Sequence, residues 1–166
     1  MADLTPADQH LIFRQYLDAV GLHAMAGAEA VGLNPSEWYA LSQIALEGTL
    51  TSGELAARTG LTTGATTRLI DRLERAGFVR RSGDPDDRRK VIVEPVADSL
   101  DRIENVVGSA RRQIAEVLTR YTPDQRAVLF DYFAQAAPAF QTATKEIRDA
   151  TPHRRQRKAD VTGRPR

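Results

Sequence analysis

The chain has 166 residues, of which 42% are hydrophobic and only 6% aromatic. That is enough for one domain with two sub-regions and a real core. It contains no cysteine, which excludes disulfides, thiolate metal sites and thiol redox switches. The net charge of +1 hides an uneven distribution: −5 over 1–50, −1 over 51–57, +4 over 58–90, −2 over 91–150 and +5 over 151–166. Cations gathered into one region are the electrostatic footprint of a polyanionic partner. No apolar run approaches the roughly 18 residues of a membrane span. The opening MADLTPADQH lacks a basic stretch followed by an apolar run, so no secretory leader is expected and a cytoplasmic location is.

In chain order, Thr5-Pro6 predicts a helix start, with Asp8 in the first turn where the helix dipole favours an acid. Ile12, Tyr16, Ala19, Val20, His23, Ala26 and Ala30 recur at helical spacing and carry this helix to about Val31. So long a helix with a narrow apolar stripe packs on another helix rather than standing alone. Gly32 ends it, Asn34-Pro35-Ser36 restarts the chain, and Glu37 to Leu46 forms a second helix. Gly48 breaks that helix. Ser52 is expected to cap a third, which stops at Gly60, and Thr62 or Thr63 a fourth, which runs to Ala76 before Gly77. Phe78–Arg81 and Lys90–Glu94 read as two strands around the turn Ser82-Gly83-Asp84-Pro85-Asp86-Asp87. A long helix follows from Asp98 to about Tyr121. Thr122-Pro123 starts another, which Pro138 is expected to interrupt. Residues 151–166 show no apolar periodicity and read as a disordered basic tail.

The short helix, tight turn, second helix and hairpin over 51–95 give the layout of a winged helix-turn-helix. Such a unit places one helix in a DNA major groove and a hairpin beside it. On the fourth helix Thr66, Leu69, Ile70 and Leu73 form the buried face. The opposite face holds Gly64, Arg68, Asp71 and Arg75, with Thr67 and Arg72 at its edges. Threonine can bond a base or a phosphate, and arginine takes a guanine edge in bidentate fashion. Gly64 gives up helix stability of up to about 1 kcal/mol, which suggests close approach of a phosphate or base edge. At the hairpin tip Arg88, Arg89 and Lys90 follow Asp84, Asp86 and Asp87. An arginine there suits a narrow minor groove, and Asp86 is expected to orient Arg88.

The span from about Asn34 to Glu94 resembles the MarR family of bacterial transcription regulators. The resemblance rests on Pro35-Ser36-Glu37-Trp38 with Leu41, Gly53-Glu54-Leu55-Ala56 and Leu61-Thr62-Thr63-Gly64. It rests above all on Arg72 to Arg81 (RLERAGFVRR) and on Asp84-Pro85-Asp86-Asp87-Arg88-Arg89. After the second strand Glu94-Pro95-Val96-Ala97-Asp98 departs from the family's usual Leu-Thr-containing stretch. The resemblance implies a mainly α-helical protein with a small β-hairpin wing, a winged helix-turn-helix within a helical homodimer. Residues 34–97 would form the DNA-binding domain, and 5–33 with 98–150 the dimerisation helices. Double-stranded DNA, a second copy of the chain and no membrane are the implied partners. By position Thr62, Thr63, Gly64, Thr67, Arg68, Arg72 and Arg75 are recognition-helix candidates, and Asp86, Arg88, Arg89 and Lys90 wing candidates.

Many members of that family release DNA when a small aromatic or phenolic ligand enters a crevice. The candidates for such a pocket here are Tyr16, His23, Trp38 and Tyr39. The lack of cysteine excludes the peroxide-sensing branch by its chemistry. Three histidines without an i,i+4 pair offer no metal site, and no cofactor is expected. The chain has no phosphate-binding glycine loop, nucleophile elbow or HExxH, so enzymatic activity is not expected. The function expected is therefore a regulator, more specifically a repressor on a palindromic operator. The alternative is an architectural dimer that binds any duplex without an effector.

Overall fold

A computed structural model describes residues 4–84, 87 and 90–151. Its elements are α1 (Pro6–Ala30), α2 (Pro35–Glu47), β1 (Leu50–Thr51), α3 (Ser52–Thr59), α4 (Thr63–Arg75), β2 (Val79–Gly83), β3 (Val91–Pro95), α5 (Ala97–Leu118) and α6 (Pro123–Ala150). The chain divides into two compact units, Met1–Ile114 and Ala115–Arg166.

Helix starts follow from local chemistry. The side chains of Thr5, Asn34, Thr51 and Thr122 each accept a hydrogen bond from the backbone N–H three residues on, and that residue's side-chain oxygen accepts one from the cap's own N–H. These capping boxes satisfy donors that a helix leaves orphaned. Thr51 therefore caps α3, not Ser52, which is the first helical residue. Its partner Glu54, three residues on, is what selects it. Likewise α2 begins at Pro35, two residues earlier than expected, because Asn34 is the cap. Gly32, Gly48, Gly60 and Gly77 all take positive φ at helix ends, where a side chain would strain the backbone.

The sheet has three strands in the order β1-β3-β2, all antiparallel. Strand β1 was not expected. It is two residues long, with Leu50 opposite Val93 and Thr51 opposite Ile92. It converts a bare hairpin into a sheet anchored beneath α3. Strand β2 starts one residue and ends two residues later than the sequence suggested, and β3 is shifted by one, with Arg81 opposite Val93 and Gly83 opposite Val91.

The core of the first unit joins α2, α3, α4 and the sheet. Leu41, Ile44, Leu55, Leu69, Ile70, Leu73, Phe78 and Val93 are almost wholly buried. Each fully buried side chain of this size contributes about 1.5–3 kcal/mol, so these side chains fix where α4 lies.

Pro138 does not interrupt α6, which continues to Ala150. Proline removes one ladder hydrogen bond, and the long helical stretches on either side carry the element through that gap. Helix α6 buries no residue; Val128, Phe130, Phe133, Phe140 and Ile147 are all exposed on it. On α1, Leu11, Ile12, Tyr16 and Val20 are exposed too.

Candidate nucleic-acid interface

Helix α4 is seated by its apolar face. Thr62 caps it, its side chain accepting from the Ala65 N–H at 3.4 Å. Thr66, Leu69, Ile70 and Leu73 are buried beneath it, as the 3.6-residue period requires. The Thr66 hydroxyl donates to the Thr62 carbonyl at 3.1 Å, so this buried oxygen is satisfied.

The other face is open. Thr63, Gly64, Thr67, Arg68, Arg72 and Arg75 are all exposed. The Thr67 hydroxyl donates back to the Thr63 carbonyl at 3.0 Å. A Cβ built on Gly64 would meet only Arg68 Nη1, at 4.0 Å. Among the described residues nothing else fills the space over that glycine. Arg68 makes no ion pair or hydrogen bond among the described residues.

The C-terminal half of α4 differs. Arg72 Nε donates to Glu37 Oε1 on α2. Glu37 is 7% exposed and also closes the α2 cap, its Oε2 accepting from the Asn34 N–H at 3.0 Å. Burial works to raise the Glu37 pKa. The hydrogen bond from Arg72, the Asn34 N–H and the Arg72 charge outweigh it, and the carboxyl is held below the usual range. Arg75 Nε donates to the Asp71 carbonyl at 3.1 Å.

Arg81 of β2 was not among the candidates. Its Nη2 lies 2.5 Å from Asp71 Oδ1, its Nη1 binds Glu74, and its backbone N–H donates to Glu74 Oε1 at 3.1 Å. Partial burial disfavours its charged form. The bond to Asp71 and the charge of Glu74 more than compensate, and the pKa is raised.

Beyond Gly83 the turn is closed by Asp84. Its N–H donates to the Lys90 carbonyl at 3.1 Å and its carboxylate accepts from the Asp87 N–H at 3.1 Å. Lys90 is exposed, and its own N–H donates to the Asp87 carbonyl at 2.8 Å. Asp86, Arg88 and Arg89 lie outside the described residues. At the far end of the hairpin, the buried Ser99 hydroxyl bonds the Phe78 carbonyl at 2.9 Å and the Val96 carbonyl at 2.6 Å. The Arg102 guanidinium stands 4.9 Å over the Phe78 ring. These contacts join α5 to the foot of the wing.

A groove of about 560 Å³ lies between α2 and α5, lined by Trp38, Leu41, Ser42, Ala45, Leu46, Leu100, Asp101, Ile103, Glu104, Val107 and Arg111. Of the four residues expected to line a pocket, Trp38 lines this groove. Tyr16, His23 and Tyr39 are exposed elsewhere. Tyr16 and His23 share one face of α1 with Gly27, which stands against Trp38 and Val107, but both side chains are exposed. Sequence reasoning missed the α5 wall, whose residues come close to Trp38 only in the fold. Among the described residues no group of three acidic or histidine side chains could hold a metal, and no helix is long and apolar enough to cross a membrane.

Comparison with known proteins agrees with this geometry. A sequence profile described as "MarR family" matches residues 31–90, the span from the end of α1 to the wing. The uncharacterized HTH-type transcriptional regulator YcgE of Bacillus subtilis is 31% identical over 137 residues, covering 82% of this chain and 89% of that protein. The HTH-type transcriptional repressor MdtR of the same organism is 23% identical over 145 residues, covering 87% and 94%. Among solved structures, a MarR family protein from Bacillus stearothermophilus superposes with a TM-score of 0.60 at 26% identity, covering 86% of this chain and 99% of that one.

Proposed function

This chain belongs to the MarR family of transcriptional regulators, and from that premise we propose that it is a site-specific DNA-binding repressor, acting as a homodimer on a palindromic operator. The observation that carries the proposal is the open face of α4. Its first two turns expose Thr63, Thr67 and Arg68, which is unpaired among the described residues, around the backbone of Gly64. Side chains of this kind, presented near a helix N-terminus, suit base edges and phosphates in a major groove.

In this reading Thr63, Thr67 and Arg68 meet base edges, Thr62 and Gly64 let the backbone approach a phosphate, and Arg75 and Lys90 contact the sugar-phosphate backbone. Arg72 holds α4 to α2 through Glu37 instead of reaching DNA. From sequence alone, Arg88, oriented by Asp86 and flanked by Arg89, reaches the minor groove. The exposed apolar residues of α1, and separately those of α6, are where a second copy packs, since exposed apolar surface on a small protein marks association. Residues 34–97 act as the DNA-binding part, the flanking helices as the dimer part, and 151–166 adds phosphate attraction. The working compartment is the cytoplasm.

The groove beside Trp38 supports a second element of the reading, release of DNA by a small aromatic effector. A ligand there touches both α2 and α5, and acts only if it binds the DNA-incompetent conformation better.

The test is fluorescence anisotropy on the palindrome beside the protein's own gene and on a scrambled copy, across a salt series. A preference of about 1000-fold at physiological salt is expected for a specific regulator. Equal binding with a steep salt slope would instead mark an architectural protein.

A further inference from the structure

The charged residues of α4 divide into two sets. Arg68, the one in the first two turns, is exposed and makes no ion pair or hydrogen bond among the described residues. Those in the last two turns are engaged inside the protein. Two of that second set, Asp71 and Glu74, converge on Arg81, which lies on β2. Its guanidinium spans two carboxylates one helical turn apart, Asp71 and Glu74, and its backbone N–H is taken by Glu74 as well. Strand β2 is the edge of the sheet, paired only with β3. Its outward N–H at Arg81 would otherwise have no ladder partner. The planar fork of arginine suits two carboxylates in fixed geometry, whereas a lysine ammonium is a single point of charge.

We propose that Arg81 is a positioning residue that locks the wing hairpin to the recognition helix, so that groove contacts from the two are made together. The inference rests on the DNA-binding reading above. A reader of two grooves needs the angle between its two elements set in advance; otherwise each contact costs ordering entropy on binding. Asp71 and Glu74 thus act through Arg81 despite being acids on a DNA-facing helix.

The experiment uses the full chain and a duplex isolated from a random-sequence pool by the wild-type protein. Two variants are compared with it, Asp71→Asn/Glu74→Gln and Arg81→Lys. The double variant gains two units of positive charge, so simple attraction to phosphate predicts tighter binding. Positioning predicts the reverse: a loss of at least about tenfold in specific affinity, the order of one lost base contact. Hydroxyl-radical protection of the minor groove at the site's flanks fades, while guanine N7 protection in the major groove is kept. Thermal melting of the same samples shows that they are folded at the assay temperature. If the double variant does not fold, Arg81→Lys carries the test, with the same selective loss expected. Unchanged or tighter binding with an unchanged footprint overturns the proposal. So does an equal loss of both protections. A pool from which the wild type enriches nothing overturns the DNA-binding reading and this inference with it.

Discussion

The carboxylate of Glu37 does two jobs at once. One oxygen closes the cap of α2 through the Asn34 N–H, and the other holds Arg72 of α4. A single buried acid thereby ties the start of one helix to the last turn of another.

Removing Arg72 leaves that carboxylate buried with only the cap for company. Arg72→Ala is expected to destabilise the fold by about 1–3 kcal/mol, the range for a polar group left underbonded. Urea unfolding followed by circular dichroism gives the number, and a loss below a few tenths would show the pair to be dispensable.

The Glu37 pKa is depressed in the folded state. Its contribution is therefore present above the unfolded carboxyl value of about 4.3 and lost as pH falls through the lower folded value. Stability of Glu37→Gln is expected to fall less steeply than wild type below about pH 4. Parallel curves for the two proteins would assign the acid sensitivity elsewhere.

Gly64 separates fold from function. Among the described residues only Arg68 Nη1 would come within 4.0 Å of a Cβ there, and its φ is not positive, so Gly64→Ala is expected to raise stability by up to about 1 kcal/mol. If DNA approaches the backbone there, the same change weakens binding by about tenfold, equivalent to ~1.4 kcal/mol. A variant that is both more stable and fully competent for DNA would show that Gly64 is only a remnant of the turn.

Gly27 is the opposite case. A Cβ there would lie 3.0 Å from Val107 and 3.2 Å from the Trp38 ring. Gly27→Ala is expected to cost about 1–3 kcal/mol through overpacking. Trp38 is the chain's single tryptophan, so its emission maximum reports the disturbance directly. An unshifted spectrum with unchanged stability would mean that α1 moves aside freely.

Ser99 was invisible as a functional residue, yet its buried hydroxyl fastens α5 to the foot of the wing. Because the Phe78 carbonyl keeps a second donor in the Val96 N–H at 3.0 Å, Ser99→Ala is expected to cost only about 1 kcal/mol. Chemical denaturation measures it. A loss several times larger would mean that the hydroxyl also organises the β3–α5 junction.

The sequence revealed what is local or periodic. The buried face of α4 was legible because four apolar or small residues repeat at 3.6. The caps Thr5 and Thr122 were legible because each precedes a proline at the first helical position. Thr51 was misread as its neighbour because either hydroxyl could cap, and only the position of Glu54 decides. Strand β1 was missed because two residues carry no alternation, and its partner lies over forty positions downstream. Arg81 was missed for the same kind of reason: an arginine in a strand says nothing about which carboxylates the fold will bring to it. Tyr16 and His23 share a helix face, but spacing alone does not say what that face meets.

Held on one flank by Glu37 and on the other by Arg81, α4 meets any partner already shaped. No segment there has to fold during the encounter, so little conformational entropy is surrendered. A wrong sequence is then rejected by an unfilled hydrogen bond or a steric collision, not by a failure of the protein to order itself. The heat-capacity change of association should accordingly match the surface α4 buries and carry no added contribution from its folding.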